Sequence, residues 1–196
     1  MESIRKTIGG IGNLMFKEAY LYSQARDGVI PDVYVQGEKY WEKYKDEIKE
    51  MFGEDIGFLP HVSIHVRKGD YQNSEFHTKL WKTDYYERAV KEFKDKKFLI
   101  FCADRQDPQK DKEDKEWCKK YFDKLLGDNY QMVENDDEVE DLNMMASCEG
   151  IIMANSSFSW WAAYLNPNWN KKIICPKNWF TDGFPRCHLL DEWKQI

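Results

Sequence analysis

The sequence contains no apolar run long enough to span a membrane, and no signal-peptide core follows its first residues. A membrane-spanning segment and a secretory leader are therefore not expected. No run of lysine and arginine is long enough to track a phosphate backbone. The formal charge of −6 also weighs against non-specific nucleic-acid binding. The five cysteines (Cys102, Cys118, Cys148, Cys175 and Cys187) are odd in number and scattered, and none forms a Cys-x-x-Cys pair. Neither a disulfide framework nor a zinc site is indicated, and a cytoplasmic location is the simplest expectation. What the chain does have is 42% hydrophobic residues over 196 positions, enough to pack one sizeable domain or two small ones. Aromatics reach 15%, with eight tryptophans. Beyond the core, exposed members of that set would suit stacking on sugar rings.

The chemistry concentrates between Val62 and Tyr71. Val62, Ile64 and Val66 alternate with Ser63, His65 and Arg67, the period-2 pattern of a strand. His65 and Arg67 thus share a face at the strand's C-terminal end, and Lys68-Gly69-Asp70 breaks the pattern into a turn. Two readings follow. A guanidinium and an imidazole at a strand end suit an anionic ligand, most simply a phosphate. Alternatively the face is wet, and Arg67 pairs with a surface carboxylate.

Gly9, Gly10 and Gly12 precede Asn13 and a segment of helical composition that can run to Gly28. Glycines ahead of a helix let backbone N–H groups approach a phosphate. The Lys-Ser/Thr ending of a P-loop is missing, which argues against a nucleoside triphosphatase. Residues 37–52 read as one amphipathic helix with Trp41, Tyr44, Ile48 and Met51 inward. Residues 71–82 are long and polar enough for a substrate-facing loop. Asp84 and Glu87 suggest a capping box for a helix reaching Lys94. An apolar strand at 98–103 is closed by Asp104, and residues 104–116 read as a solvated charged loop. A helix marked by Trp117 and Leu125 follows, then a short strand at 130–133. The next helix carries Val139, Leu142, Met145 and Ala146 inward and ends at Gly150. A strand at 151–154 runs directly into Asn155-Ser156-Ser157 and another helix, which Pro167 stops, and a strand at 172–175 comes last.

This alternation of strand and helix from Val62 onward predicts a mainly parallel, doubly wound α/β sheet. Parallel strands would bring His65 and Arg67, Asp104 and the Asn155–Ser157 junction to one edge of the sheet. The junction, with hydroxyls, an amide and free N–H groups at a helix start, is a second candidate phosphate site.

Three stretches together resemble the α-1,2-fucosyltransferases of glycosyltransferase family 11. They are Gly9–Phe16, His65–Tyr71, and Glu140–Leu142 with Ala154–Trp161; Ile174–Phe180 extends the likeness. The resemblance implies a GT-B-like fold, with a reduced N-terminal region (1–60) carrying the glycine loop and acceptor side. Residues 61–196 would form a Rossmann-like domain for GDP-fucose. It further implies inversion at the fucose anomeric carbon, no required metal, and a galactose-terminated glycan as acceptor, joined in α-1,2 linkage. Association with a membrane where glycans are assembled, and self-association, are left open. Carried over by position, Arg67 becomes the main pyrophosphate ligand with His65 beside it, and Gly10, Gly12 and Asn13 cover the donor. Asn155, Ser156, Ser157 and Ser159 contact phosphate or nucleoside, and Asp104 borders the donor crevice. Asp141 either is structural or holds the guanosine. Asp70 is the first candidate for general base, with Glu18 and Asp104 as alternatives and with holding Arg67 as its other role. The chain departs from the family pattern at Leu14, usually Gln, and at Lys68, usually Arg. Only about fifty residues separate Asn13 from His65, far fewer than in typical members. That spacing keeps two alternatives in view: a GDP-sugar-binding protein that needs a partner subunit, and a transferase with another donor.

Overall fold

The computed structural model describes residues 10–27, 36–53, 56–104, 107–183 and 187–196, without the side chains of 24–27. Six strands form one sheet: β1 (Leu59–His65), β2 (Phe98–Phe101), β3 (Tyr130–Met132), β4 (Cys148–Ile152), β5 (Lys172–Cys175) and β6 (Lys194–Gln195). Their order is β3-β2-β1-β4-β5-β6, and every pairing is parallel. The α-helices are α1 (Ile11–Asp27), α2 (Lys45–Phe52), α3 (Tyr85–Val90), α4 (Pro108–Leu126), α5 (Glu138–Ser147) and α6 (Ser157–Leu165). The parallel, doubly wound sheet expected from the alternation is present.

Period-2 side-chain alternation sorts the core into two layers. Leu99, Phe101, Ile151, Met153 and Ile173 face one side, where α1, α2, α5 and α6 pack around Phe16, Trp41, Trp160 and Trp161. Val62, Ile64, Ile100, Ile152 and Ile174 face the other, against Tyr85, Tyr86, Cys118 and Phe122 of α3 and α4. All five cysteines are free and buried.

The chain winds outward from β1 through β2 to β3, then crosses back to lay β4 on the other side of β1. The reversal leaves a crevice at the C-terminal ends of β1 and β4, where open α/β sheets place their ligands.

Several local expectations need correction. The face of β1 carrying Ser63 and His65 is not wet: both residues are buried. A central parallel strand has two covered faces, so its alternation separates two layers, not core from solvent. Residues 38–44 form two short 3-10 turns, and α2 starts only at Lys45. Gly37, at φ 153° with His188 packed against its Cα, forces that turn. Met51 and Val139, both expected inward, are 46% and 47% exposed. The charged stretch is mostly helix. Asp107 caps α4 by accepting the N–H groups of Gln109 and Lys110, and Pro108 fits its first turn. Asp84 makes no capping bond and instead pairs with Arg88. Helix α5 stops at Ser147, and Gly150 lies within β4, where the Phe93 ring fills the space of a side chain. The two-residue β6 was not foreseen.

Candidate functional site

A cavity of about 390 Å³ occupies the crevice between the ends of β1 and β4. Its lining includes Gly10, Gly12, Asn13, His65, Arg67, Asp70, Asp141, Asn155, Ser156 and Ser157. Ten residues singled out from sequence therefore converge, although they span more than a hundred positions. Gly9 lies outside the described residues. Asp104 and Ser159 do not line the cavity. Asp104 sits against the Cα of Gly69 and accepts the N–H of Asp107 at 3.2 Å. Ser159 is fully buried, its hydroxyl donating to the carbonyls of Ala154 (3.2 Å) and Ser156 (3.3 Å). It shapes the junction from behind, so the expected direct contact with a ligand is not what the geometry provides.

Arg67 is held from two sides. Its Nε lies 3.0 Å from an Asp70 carboxylate oxygen, and its guanidinium carbon lies 5.6 Å from the centre of the Tyr71 ring. Burial opposes its charge, but Asp70 and Tyr71 outweigh that, and its pKa is raised. The bond to Asp70 uses Nε, not the terminal nitrogens that make bidentate contacts with phosphate. Asp70 therefore orients Arg67, the second of the two roles read from sequence. Tyr71 is fixed in turn: its hydroxyl donates to the carbonyl of Asn155 at 3.1 Å, and its ring stacks on His77 at 3.8 Å.

The turn after β1 is clamped from below by a residue that sequence reading left in a solvated segment. Asp114 of α4 is 2% exposed. One of its oxygens accepts the Gly69 N–H at 2.6 Å. The other meets the Lys68 ammonium at 2.5 Å and the Gln72 amide at 3.2 Å. Lys68 thus points into an ion pair with α4. The sequence signal for Asp114 was faint, a single acid among six in the charged stretch 104–116.

His65 is buried, and burial followed by the nearby Arg67 pushes its pKa down to about 3. At neutral pH it is an uncharged imidazole, so of the two expected phosphate partners only Arg67 brings a cation. Three buried polar atoms on lining residues have no partner among the described residues: His65 Nδ1, Asn155 Oδ1 and Trp179 Nε1. Buried donors and acceptors of this kind are normally satisfied, and a ligand would satisfy them.

Two helix N-termini close the other side. Ser156 caps α6, its hydroxyl accepting the Phe158 N–H at 3.4 Å. The first turn of α1 lies directly against it. A Cβ on Gly12 would stand 2.6 Å from the Ser157 carbonyl carbon, and the Trp161 indole donates to the Gly12 carbonyl at 2.9 Å. The glycine thus permits close approach of two helix starts, each with N–H groups outside the helix ladder and a partial positive charge. Gln36 supports this wall by donating to the Asn13 side chain at 2.8 Å. His77, Trp179 and Phe180 also line the cavity, and none was singled out from sequence. Trp179 and Phe180 belong to the closing stretch of the resemblance, and His77 to the loop read as substrate-facing.

Fold and cavity define a doubly wound α/β protein with an anion-suited crevice at the point where its strand order reverses. A family model described as glycosyl transferase family 11 matches residues 34–196. The chain belongs to that family. The glycine stretch Gly9–Phe16 lies ahead of the matched span. Among curated proteins it is similar to the O-antigen biosynthesis glycosyltransferase WbnK of Escherichia coli, 31% identical over 142 residues. That match covers 67% of this chain and 43% of the relative. It is also similar to an alpha-1,2-colitosyltransferase of Escherichia coli, 29% identical over 187 residues, covering 82% of this chain and 60% of the relative. The chain thus spans about half the length of these relatives. No solved structure matches it significantly.

Proposed function

We propose that this chain binds a GDP-linked 6-deoxy sugar, GDP-fucose first, and transfers the sugar to a hydroxyl of a galactose-containing glycan in α-1,2 linkage. Inversion of configuration, independence of metal and a GT-B-like arrangement are part of this reading. One observation carries it: in a family 11 chain, Arg67 and the N-termini of α1 and α6 converge on the crevice between β1 and β4. In the transfer, the bond from the anomeric carbon to the β-phosphate oxygen breaks, and its electron pair stays on the phosphate. The acceptor oxygen forms the new bond and gives up its proton. Negative charge grows on the leaving diphosphate, and preorganised cationic and N–H groups stabilise that growth most effectively. Arg67, fixed by Asp70 and Tyr71, meets the phosphate without reorganising. Neutral His65 contributes one N–H donor. Asp70 remains the first carboxylate to consider as general base, alongside its bond to Arg67.

The test is incubation with GDP-fucose, and with GDP-colitose because one relative's name carries that sugar, against galactose-terminated acceptors, with product linkage read. Arg67→Ala should lose roughly a hundredfold or more in kcat/KM, the effect of removing a key oxyanion donor. Near-normal turnover by that variant would overturn the assignment. The partial span of the relatives supports one other reading, a GDP-sugar-binding protein silent without a partner subunit. Tight GDP binding in a calorimeter with no transfer to any galactoside would favour it.

A further inference from the structure

A second recess of about 650 Å³ lies beside the site, between residues 74–83 and 178–183. His77 and Phe180 line both spaces, so one wall is common to them. We propose that this groove seats the acceptor saccharide, a neutral glycan ending in galactose, whose reacting hydroxyl passes His77 into the donor cavity. The proposal rests on the donor reading above. It moves the acceptor side from residues 1–60 to two loops of the sheet domain.

Geometry supports the placement in three ways. The first is proximity to the reacting carbon, which is bonded to the terminal phosphate of the donor, so the nucleophile must arrive at the phosphate end. Tyr71 touches Arg67 on one side and stacks on His77 on the other, so two rings separate the phosphate ligand from the groove. The second is rigidity. His77 and Phe180 form an antiparallel bridge, and the Thr181 N–H donates to the Phe76 carbonyl at 2.9 Å. The Asn155 side chain donates to the carbonyls of Thr78 (3.0 Å) and Trp179 (2.8 Å), fixing both loops to the end of β4. Preorganised loops lose little entropy when a flexible glycan binds. The third is chemistry. Thr78 and Asn178 supply a hydroxyl and an amide for sugar hydroxyls, while the Ser74 and Thr181 hydroxyls are engaged in holding the loops, bonding His77 and the Glu75 carbonyl. Phe76, 71% exposed on the same loop, offers a ring for the apolar face of a sugar. The recess around Lys49 and Tyr164 shares no lining residue with the donor cavity.

Amide NMR on the intact chain separates this proposal from the donor reading. GDP should shift resonances of Gly10–Asn13 and Ser156–Phe158, and failure to do so sinks the donor reading. Lactose added to GDP-loaded protein should shift residues 74–83 and 178–183. Shifts confined to 36–53, or none, overturn the groove. In transfer assays Phe76→Ala and Lys82→Trp, both at exposed positions, should raise KM for lactose about tenfold, a loss of one ordinary contact. GDP affinity and kcat should hold. Unchanged KM in both variants refutes the proposal.

Discussion

At the scale of single residues, the site depends on one cation and one imidazole that stays neutral. Arg67 keeps its charge because Asp70 and Tyr71 compensate for its burial. His65 has no such partner, and its pKa falls to about 3. The folded protein therefore leaves His65 unprotonated between pH 6.5 and about 3, whereas the unfolded chain takes up a proton there. Stability follows the proton difference: His65's contribution is whole above pH 6.5 and is lost progressively as pH falls toward 3. At 1.36 kcal/mol per pH unit, the loss by pH 4.5 is about 2–3 kcal/mol. Urea unfolding at pH 7 and pH 4.5 checks this. Wild type should lose about 2–3 kcal/mol more than His65→Gln across that interval, whatever the variant's baseline. Equal losses would show that His65 is protonated at little cost.

At the scale of elements, the turn after β1 is held to α4 by Asp114. A buried charge pair is weak evidence for stability, but breaking it leaves an uncompensated ion and costs about 3–5 kcal/mol. Asp114→Ala would strand the Lys68 ammonium, 12% exposed, and the Gly69 N–H together. The expected loss in denaturant-derived stability is about 3 kcal/mol. Lys68→Met combined with Asp114→Leu should recover much of it, because no buried charge remains. A single variant within about 0.5 kcal/mol of wild type would mean the clamp bears no energy. The clamp leaves no mark in the sequence pattern. That pattern could place a strand before Arg67 and a helix near Trp117. It could not show that the fifth acid of a charged run turns inward, because burial there is set by how α4 lies across the sheet. The same holds for 38–44, where His188, more than 140 positions away, decides the backbone at Gly37.

At the scale of the whole molecule, the topology was legible because hydrophobic period and helix punctuation alternate without interruption from Val62 to Cys175. Parallel order then fixes which strand ends meet, so the sequence pattern alone brings His65, Arg67 and the Asn155–Ser157 junction together. The details that escaped, Ser159 turned inward and the groove beside His77, depend on side-chain direction and loop pairing, which carry no period. The assembly nevertheless predicts how the entire fold responds to ligand. A diphosphate in the crevice would contact α1, β1 and α6 at once, so GDP should stabilise the chain globally. At a hundred times its dissociation constant a ligand adds about 2.7 kcal/mol. For a domain of this size that is a rise of roughly 5–10 °C in Tm by scanning calorimetry. Guanosine, lacking the diphosphate, should give far less at the same concentration, and Arg67→Ala should abolish most of the GDP shift. If GDP raised Tm equally in wild type and Arg67→Ala, the nucleotide would be bound elsewhere, and the convergence of three elements on Arg67 would have another purpose.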